Sequence, residues 1–236
     1  MLRTPTAPSP LVIGLYMWTF GTGLVDAISF VHFDHVFVAN MTGNVVFIGL
    51  AAAGEGSIAI GTVAFAVLGF LLGAFACGRF LLGRVAHHRL VPVAVLAQLV
   101  LTGAALLVGV VEPSYVPLIT GLLGTAMGTQ NAVARHLKVP DATTTVVTMT
   151  VTGLAADRQQ GAGAMLRRIV VVALLAAGAA AGALLLRTSL VAALAGVFLV
   201  NGAAALVALR EQDRDTGRGG TLHGRGVPPS GSQSTT

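Results

Sequence analysis

The side chains best suited to bind a solute or an ion lie in one short run, Asn40, Thr42, Gly43 and Asn44, within a chain that is otherwise apolar. Amide and hydroxyl groups donate and accept hydrogen bonds, and glycine lets the backbone bend or approach a ligand closely. An unpaired polar group at membrane depth is costly. The run therefore indicates either a working site or a broken helix whose polar groups are satisfied by its neighbours.

Asp26 is the ionisable residue that precedes this run. It lies about 15 residues into the first apolar segment, which is roughly 22 Å along a helix. An acid at that depth is by default a proton relay or a cation ligand. The alternative is a protonated carboxyl, or one that caps a neighbouring helix.

A weaker copy of these features follows roughly 105 residues later in the chain. Gln130 and Asn131 stand where the first half has Asp26, and a Thr-rich run stands where it has Asn40 to Asn44. The candidate pathway residues of this second half are Gln130, Asn131, Thr144, Thr145 and Thr148. Hydroxyl groups and carbonyls of this kind can replace the hydration shell of a small solute or ion.

The composition defines the class of protein. The chain has 236 residues, of which 55% are hydrophobic and only 10% are charged, whereas soluble domains carry about 25% charged residues. We therefore expect an integral membrane protein. The net charge of +5 comes from arginines at the ends of apolar runs and in the tail, a pattern that indicates membrane topology and not nucleic-acid binding.

Metal and cofactor chemistry have little support in the sequence. One cysteine, Cys77, lies in an apolar run, so we expect no intramolecular disulfide and no cysteine-based metal cluster. His32 and His35 flank Asp34 and leave metal binding open as a weaker alternative to interfacial histidines. Motifs of zinc proteases, serine hydrolases and phosphate-binding loops are absent from the sequence. We predict no cofactor and no metal.

The apolar runs predict an all-α, multi-pass membrane domain over residues 11–209, with a short tail at 1–10 and a disordered cytoplasmic tail at 210–236. Six runs are long enough to cross about 30 Å of hydrocarbon. They are 11–31, 57–82, 92–111, 115–134, 169–186 and 190–209. The polar stretches 38–54 and 143–157 are marginal, and could span fully or enter and return.

The positive-inside rule decides between six and eight crossings. If both short stretches cross, the basic loop around Arg84 and Arg89 lies opposite Arg3. If both return, almost all basic clusters lie in the cytoplasm with the two termini, whereas Glu55 and Glu112 lie outside; Arg187 is the exception. We therefore predict six spans plus two short broken or re-entrant helices.

With six spans, the halves 11–111 and 115–209 form an inverted 3+3 repeat, the arrangement in which secondary transporters place a site near the membrane midplane. The segment Gly23 to Ala27 aligns with Gly128 to Ala132. Small-residue spacings such as Gly124-xxx-Gly128 predict close helix packing.

The motifs assembled so far are Gly23-xx-Asp26-Ala27-xx-Phe30, Phe37-Val38-Ala39-Asn40-Met41-Thr42-Gly43-Asn44, Gln130-Asn131-Ala132, Arg135 and Thr144-Thr145-xx-Thr148. From about residue 11 to 209, the chain resembles the YoaK-type family of uncharacterised bacterial membrane proteins, defined as a domain of unknown function. One departure is Thr148-Met149, where the family usually repeats Thr-Gly; the glycine here is Gly153. The resemblance implies a bacterial cytoplasmic (inner) membrane location and supplies no activity.

The residues together favour a small secondary transporter or permease for an unidentified small solute, coupled to a proton or cation through Asp26, with the chain alone or as a homodimer. Two alternatives stay open. One is a membrane-embedded enzyme acting on a lipid or quinone, for which Asp26 with His32 or His35 is the available acid/base pair. The other is a structural protein that assembles through its Gly-rich faces.

Overall fold

The computed structural model describes residues 10–137, 147–156 and 161–222, and every regular element within them is helical. The candidates Thr144 and Thr145 lie outside the described residues. The helices are α1 (Pro10–His32), α2 (Met41–Ala52), α3 (Ile60–Ala76, continued by a π-helix at Cys77–Leu81), α4 (His87–Val111), α5 (Val116–Leu137), α6 (Val147–Ala156), α7 (Ala162–Leu186) and α8 (Leu190–Leu222).

Five helices of the described part are long and apolar enough to cross a membrane: α1, α3 with its π-helical end, α4, α7 and α8 as far as Arg210. The remaining predicted span, 115–134, forms α5. This helix has 22 residues, but five of its side chains are threonines or amides: Thr120, Thr125, Thr129, Gln130 and Asn131. The all-helical, multi-pass class is thus confirmed, whereas apolarity alone supports five crossings and not six.

The two marginal stretches form short helices. α2 has 12 residues and α6 has 10, which corresponds to about 18 and about 15 Å at 1.5 Å per residue. Hydrocarbon is about 30 Å thick. Neither helix is therefore long enough to cross a bilayer by itself.

The last helix is longer than the sequence predicted. α8 continues to Leu222, past residue 209, where we expected the disordered tail to begin. The first residues beyond that point are Arg210, Glu211 and Gln212, which have high helix propensity. Low apolar content predicts that a segment does not pack, but it does not by itself end a helix. Residues 223–236 lie outside the described range.

The long helices pack in a regular pattern. α1 lies along α7 and α3 lies along α5, while α4 contacts both α5 and α8, and α1 also contacts α8. The short helices have different neighbours: α2 packs on α3, and α6 packs on α7.

Glycines set the closest helix contacts, as the Gly-xxx-Gly spacings predicted. A Cβ placed on Gly23 of α1 would collide with the carbonyl oxygen of Leu175 of α7, and one on Gly178 would collide with that of Phe20. The α3–α5 pair repeats this arrangement, with Gly128 on the Phe70 carbonyl and Gly73 on the Thr125 carbonyl. Such direct backbone contact is the usual function of small residues in membrane helix packing.

Two buried apolar clusters lie at different heights of the bundle. The first joins the C-terminal half of α1 to the early parts of α5 and α8, and includes Leu24, Leu123 and Leu194. The second joins the early part of α1 to α4 and the later parts of α5 and α8, and includes Trp18 and Val95.

Gly23→Ala should destabilise the fold by about 1–3 kcal/mol, the usual cost of overpacking, because its methyl group meets the α7 backbone. Gly14→Ala is the matched control on the same helix, since nothing lies within 4 Å of a Cβ at Gly14. Thermal unfolding of both variants in detergent tests this. Equal midpoints would contradict the close α1–α7 contact.

Candidate functional site

The chain reverses direction directly after α1. α1 ends at His32, and Asp34 and His35 both have left-handed backbone conformations, with φ of 55° and 61°. The Oγ1 of Thr62, near the start of α3, donates a hydrogen bond of 3.1 Å to Oδ2 of Asp34. The start of α3 therefore lies beside the end of α1. We call the chain between them, residues 33–59 including α2, the return segment.

Asp26 binds the return segment from α1. Its Oδ1 accepts hydrogen bonds from the backbone N–H groups of Val38, at 3.1 Å, and Ala39, at 2.8 Å. The chain that left α1 at His32 thus comes back alongside the helix to the level of Asp26 before α2 begins. These N–H groups belong to the non-helical turn before α2, where no helical carbonyl is available to them, so the Asp26 carboxyl group supplies their acceptor. Its expected role as proton relay or cation ligand stays a prediction.

Asn44, which is itself part of the return segment, binds the turn that precedes α2. It is fully buried in α2; its Oδ1 accepts from the N–H of Phe37 at 3.0 Å, and its Nδ2 donates to the Phe37 carbonyl at 2.5 Å. Both backbone groups of one residue are satisfied by a single amide side chain. The ring of Phe37 lies against Gly43, where a Cβ would be 2.7 Å from its Cδ2. Asn44 and Gly43 therefore hold the return segment closed.

Aromatic contacts reinforce this closure. Phe30 of α1 stacks on Phe37 with ring centroids 5.2 Å apart, and Phe37 stacks on Phe47 of α2 at 6.1 Å. His35 meets the edge of Phe30. α2 is thus attached to α1 through one continuous ring stack in addition to the polar contacts.

The other predicted site residues do not converge with these. Asn40 and Thr42 are exposed on the return segment, Thr148 is exposed on α6, and Asn131 donates from Nδ2 to the carbonyl of Met127 within α5. Asn40 precedes α2 without making a side-chain cap. Because α2 packs on α3 and α6 on α7, the described parts of the two short helices have separate surroundings.

A layer of buried polar side chains separates the two apolar clusters. Four helices contribute to this polar layer, and each of its side chains is at most 5% exposed. The layer consists of Thr19 and Thr22 of α1, Gln98 and Thr102 of α4, Thr129 and Gln130 of α5, and Asn201 of α8. Of the residues predicted from the sequence, Gln130 alone belongs to it.

Hydrogen bonds connect three of these helices through the layer. Gln98 Nε2 donates to Gln130 Oε1 at 2.8 Å, and Gln130 Nε2 donates to Thr22 Oγ1 at 2.9 Å. The Thr22 hydroxyl donates to the carbonyl of Trp18, and that of Thr102 donates to the carbonyl of Gln98. A directed chain of donors thus runs from α4 through α5 to α1.

The polar layer lies near the centre of the apolar spans. Thr22 is the midpoint of the span Val12–His32, Gln98 and Thr102 bracket the midpoint of Arg89–Val111, and Asn201 is next to the midpoint of Leu190–Arg210. Asp26 is one turn further along α1, about 6 Å away. The network therefore crosses the bundle near its mid-height.

Gln98, Thr22, Thr102 and Asn201 were not singled out from the sequence. Each is an uncharged polar residue within a largely apolar helix. The available signal was the one that identified Asp26, a polar side chain inside an apolar span, applied to uncharged residues as well.

Metal ligation finds no support in the described residues, where no three side chains of His, Cys, Asp or Glu are grouped. The rings of His32 and His35 pack instead on the neighbouring rings of Phe33 and Phe30.

The helices, their apolar spans and the buried polar layer define a multi-pass helical membrane protein. The chain belongs to the family described as "Protein of unknown function (DUF1275)", which matches residues 14–207. It is also 32% identical over 140 residues to the "UPF0700 transmembrane protein YoaK" of Bacillus subtilis (strain 168), covering 57% of this chain and 61% of that relative. The match thus spans less than two thirds of the relative's length. No solved structure matches significantly.

The Asn40 to Asn44 run contains its own matched pair of variants. Asn44→Ala should destabilise the protein by about 1–3 kcal/mol, because the Phe37 N–H and carbonyl lose their partners in a buried place. Asn40→Ala, in the same run but exposed and without a side-chain cap, should change little. Thermal unfolding of the two purified variants checks this, and a loss for Asn44→Ala no larger than that for Asn40→Ala would contradict the stabilising role of the Asn44 contacts.

Proposed function

We propose that this protein is a small secondary transporter or permease, built as an inverted 3+3 repeat, whose solute pathway crosses the polar layer. The observation that carries the proposal is the hydrogen-bonded layer at mid-height between the two halves. The return segment and its Asp26 and Asn44 contacts serve to hold α1 and α2 in place beside that pathway.

Helix packing supports the repeat. Gly23 contacts the carbonyl of Leu175, and Gly128 contacts the carbonyl of Phe70. The two glycines are 105 positions apart in the sequence, and so are the two residues that they contact. The reciprocal contacts, Gly178 on Phe20 and Gly73 on Thr125, obey the same offset. In this repeat α1 corresponds to α5, α3 to α7 and α4 to α8. The α1–α7 contact therefore corresponds to the α5–α3 contact, and the α1–α8 contact corresponds to the α5–α4 contact; all four pairs of helices are in contact.

The return segment supports six crossings. The Thr62–Asp34 hydrogen bond brings the start of α3 to the end of α1, so the intervening chain leaves and re-enters at one side. Asp26, which lies before the end of α1, accepts hydrogen bonds from Val38 and Ala39 of that chain. On this basis α2 does not cross, and the crossing helices are α1, α3, α4, α5, α7 and α8.

The polar layer lies where the two halves meet. Its helices α1 and α4 belong to the first half, and α5 and α8 belong to the second. Both the Gln98–Gln130 and the Gln130–Thr22 hydrogen bonds join one half to the other. Transporters built from inverted repeats place their substrate sites near the midplane at this kind of interface.

Stability alone gives little reason for such a layer. Polar contacts between membrane helices contribute on average only about 0.6 kcal/mol each. Thr22, Gln98 and Gln130 occupy a buried level with apolar clusters on both sides, where leucine or valine would pack without needing partners. A solute pathway gives a reason to retain hydrogen-bonding groups at this level.

The distribution of arginines supports a cytoplasmic position for both termini in a bacterial cytoplasmic membrane. Arg84 lies in the turn after the π-helix of α3, Arg89 lies in the first turn of α4, and Arg135 lies in the last turn of α5. With six crossings these ends share one side, whereas Glu55 and Glu112 share the other. Positive charge is enriched on the cytoplasmic side of membrane proteins.

Site-directed labelling tests the six crossings. In a Cys77→Ala background, which removes the sole native cysteine, we expect His32→Cys and Glu55→Cys to react with a membrane-impermeant maleimide from outside intact cells. His87→Cys should react only after permeabilisation. Labelling of positions 32 and 55 from opposite sides would mean that α2 crosses, and would overturn this topology.

Reconstitution tests transport. Proteoliposomes should equilibrate at least one of a panel of small labelled solutes, comprising acetamide, glycerol, acetate, methylammonium and rubidium, faster than protein-free liposomes. Gln130→Leu should lower that rate at least tenfold, because it breaks both cross-half hydrogen bonds. Val100→Leu, an exposed position on α4, should not change it. If no solute moves, or if Gln130→Leu transports as well as the unaltered protein, the pathway is wrong.

A further inference from the structure

Two buried polar atoms at the polar layer have no hydrogen-bond partner. They are Oε1 of Gln98, an acceptor, and Nε1 of Trp18, a donor. The side chain of Gln98 is completely buried and that of Trp18 is 4% exposed. Both therefore lie out of reach of bulk water and of lipid headgroups.

The residues that carry these two atoms lie at the same level of the bundle, on α1 and α4. Trp18 is one helical turn before Thr22 on α1, and its carbonyl accepts the Thr22 hydroxyl. Trp18 also shares its apolar cluster with Ala94 and Val95, which are on the turn of α4 preceding Gln98. The unpaired donor and acceptor thus flank the same boundary between the polar layer and the second apolar cluster.

The directed hydrogen-bond chain cannot accommodate the spare Gln98 acceptor. Gln98 Nε2 is used by Gln130 Oε1 and by the carbonyl of Ala126, at 2.8 and 3.3 Å. Rotating the Gln98 amide by 180° would place its oxygen against these two acceptors and so lose both bonds. The existing orientation satisfies Gln130 and Thr22 and leaves one acceptor over.

Buried unpaired groups are costly. Each loses about 1–3 kcal/mol relative to a paired group, and native proteins carry few of them. A donor and an acceptor left over at the same boundary match one bound molecule that accepts from the indole N–H and donates to the amide oxygen.

We propose that Trp18 and Gln98 form the binding point for a small uncharged solute that carries both a hydrogen-bond donor and an acceptor, of the amide or polyol class. This inference rests on the proposed permease function and specifies its substrate class. Trp18 supplies the N–H that binds the solute's oxygen. Gln98 supplies the oxygen that binds its N–H or O–H group.

The surroundings favour an uncharged solute over an ion. The members of the polar layer are threonines, glutamines and one asparagine, without a charged side chain among them. The nearest acid on α1, Asp26, directs its Oδ1 to the N–H groups of Val38 and Ala39. An ion here would lose its hydration without a counter-charge, which is far more costly than transferring an uncharged polar group.

The single tryptophan of the chain makes the test direct. Trp18 is the one Trp residue in the sequence, so its emission reports on this site alone. Titrating acetamide or glycerol into the purified full-length protein in nanodiscs should give a saturable change in emission. Equal concentrations of acetate and methylammonium, which resemble acetamide in size but are charged, should give no saturable change.

Substitution identifies the acceptor. Gln98→Met preserves the length of the side chain and removes its oxygen, together with the Nε2 group that donates to Gln130, so the affinity for the uncharged probe should fall at least tenfold. Val100→Leu on the same helix is the control and should bind as the unaltered protein does. If Gln98→Met does not fold, Trp18→Phe removes the donor instead, and equilibrium dialysis of labelled acetamide measures binding without the fluorophore; the same tenfold loss is expected.

The outcomes separate this inference from the proposed function. If binding is saturable and requires Gln98 or Trp18, but the protein moves no solute, the proposed binding site stands and the permease function is rejected. If neither substitution affects transport, the permease function stands and the proposed binding site is rejected. Equal binding of charged probes, no saturable binding of either uncharged probe, or one ordered water filling the site without probe binding would each overturn the inference.

Discussion

A chain that turns back against a helix bundle must find partners for backbone groups that no helix satisfies, and this constraint governs the first half of the protein. A buried group left unpaired costs about 1–3 kcal/mol. Asp26 supplies an acceptor for two N–H groups of the return segment, and Asn44 satisfies both backbone groups of Phe37. Two polar side chains at the depth of an apolar span are therefore explained by the path of the backbone before any ligand is considered.

The polar layer has a different physical origin. Thr22, Gln98 and Gln130 satisfy one another across helices, and each lies inside a helix and not in a turn. The sequence contained both kinds of polar residue, but the conspicuous Asn–Met–Thr–Gly–Asn string belongs to the return segment, whereas the layer is built from isolated residues. The dense sequence motif thus lies in the return segment, whereas the residues of the polar layer come from four different helices.

Much of the fold could be predicted from the sequence because hydrophobic length determines which segments become long helices. The start of α1 and the ends of α4 and α7 lie within a residue of expectation. α8 exceeded its prediction because charged helix formers extend a helix that has already begun. The partners of Asp26 could not be predicted, because they depend on how the chain turns back between α1 and α2. Those of Gln130 could not be predicted, because they depend on which helices become neighbours.

Helix α1 connects the return segment to the polar layer. Thr22 and Asp26 are four residues apart, so they lie on one face of the helix, one turn from each other. A shift of the return segment acts on Asp26 through its two backbone hydrogen bonds, and a rotation or translation of α1 changes the Thr22–Gln130 distance across the two halves. The same helix contacts α7 through Gly23 without an intervening side chain, which leaves little freedom for small independent adjustments. The return segment and the polar layer are therefore both attached to α1, one helical turn apart.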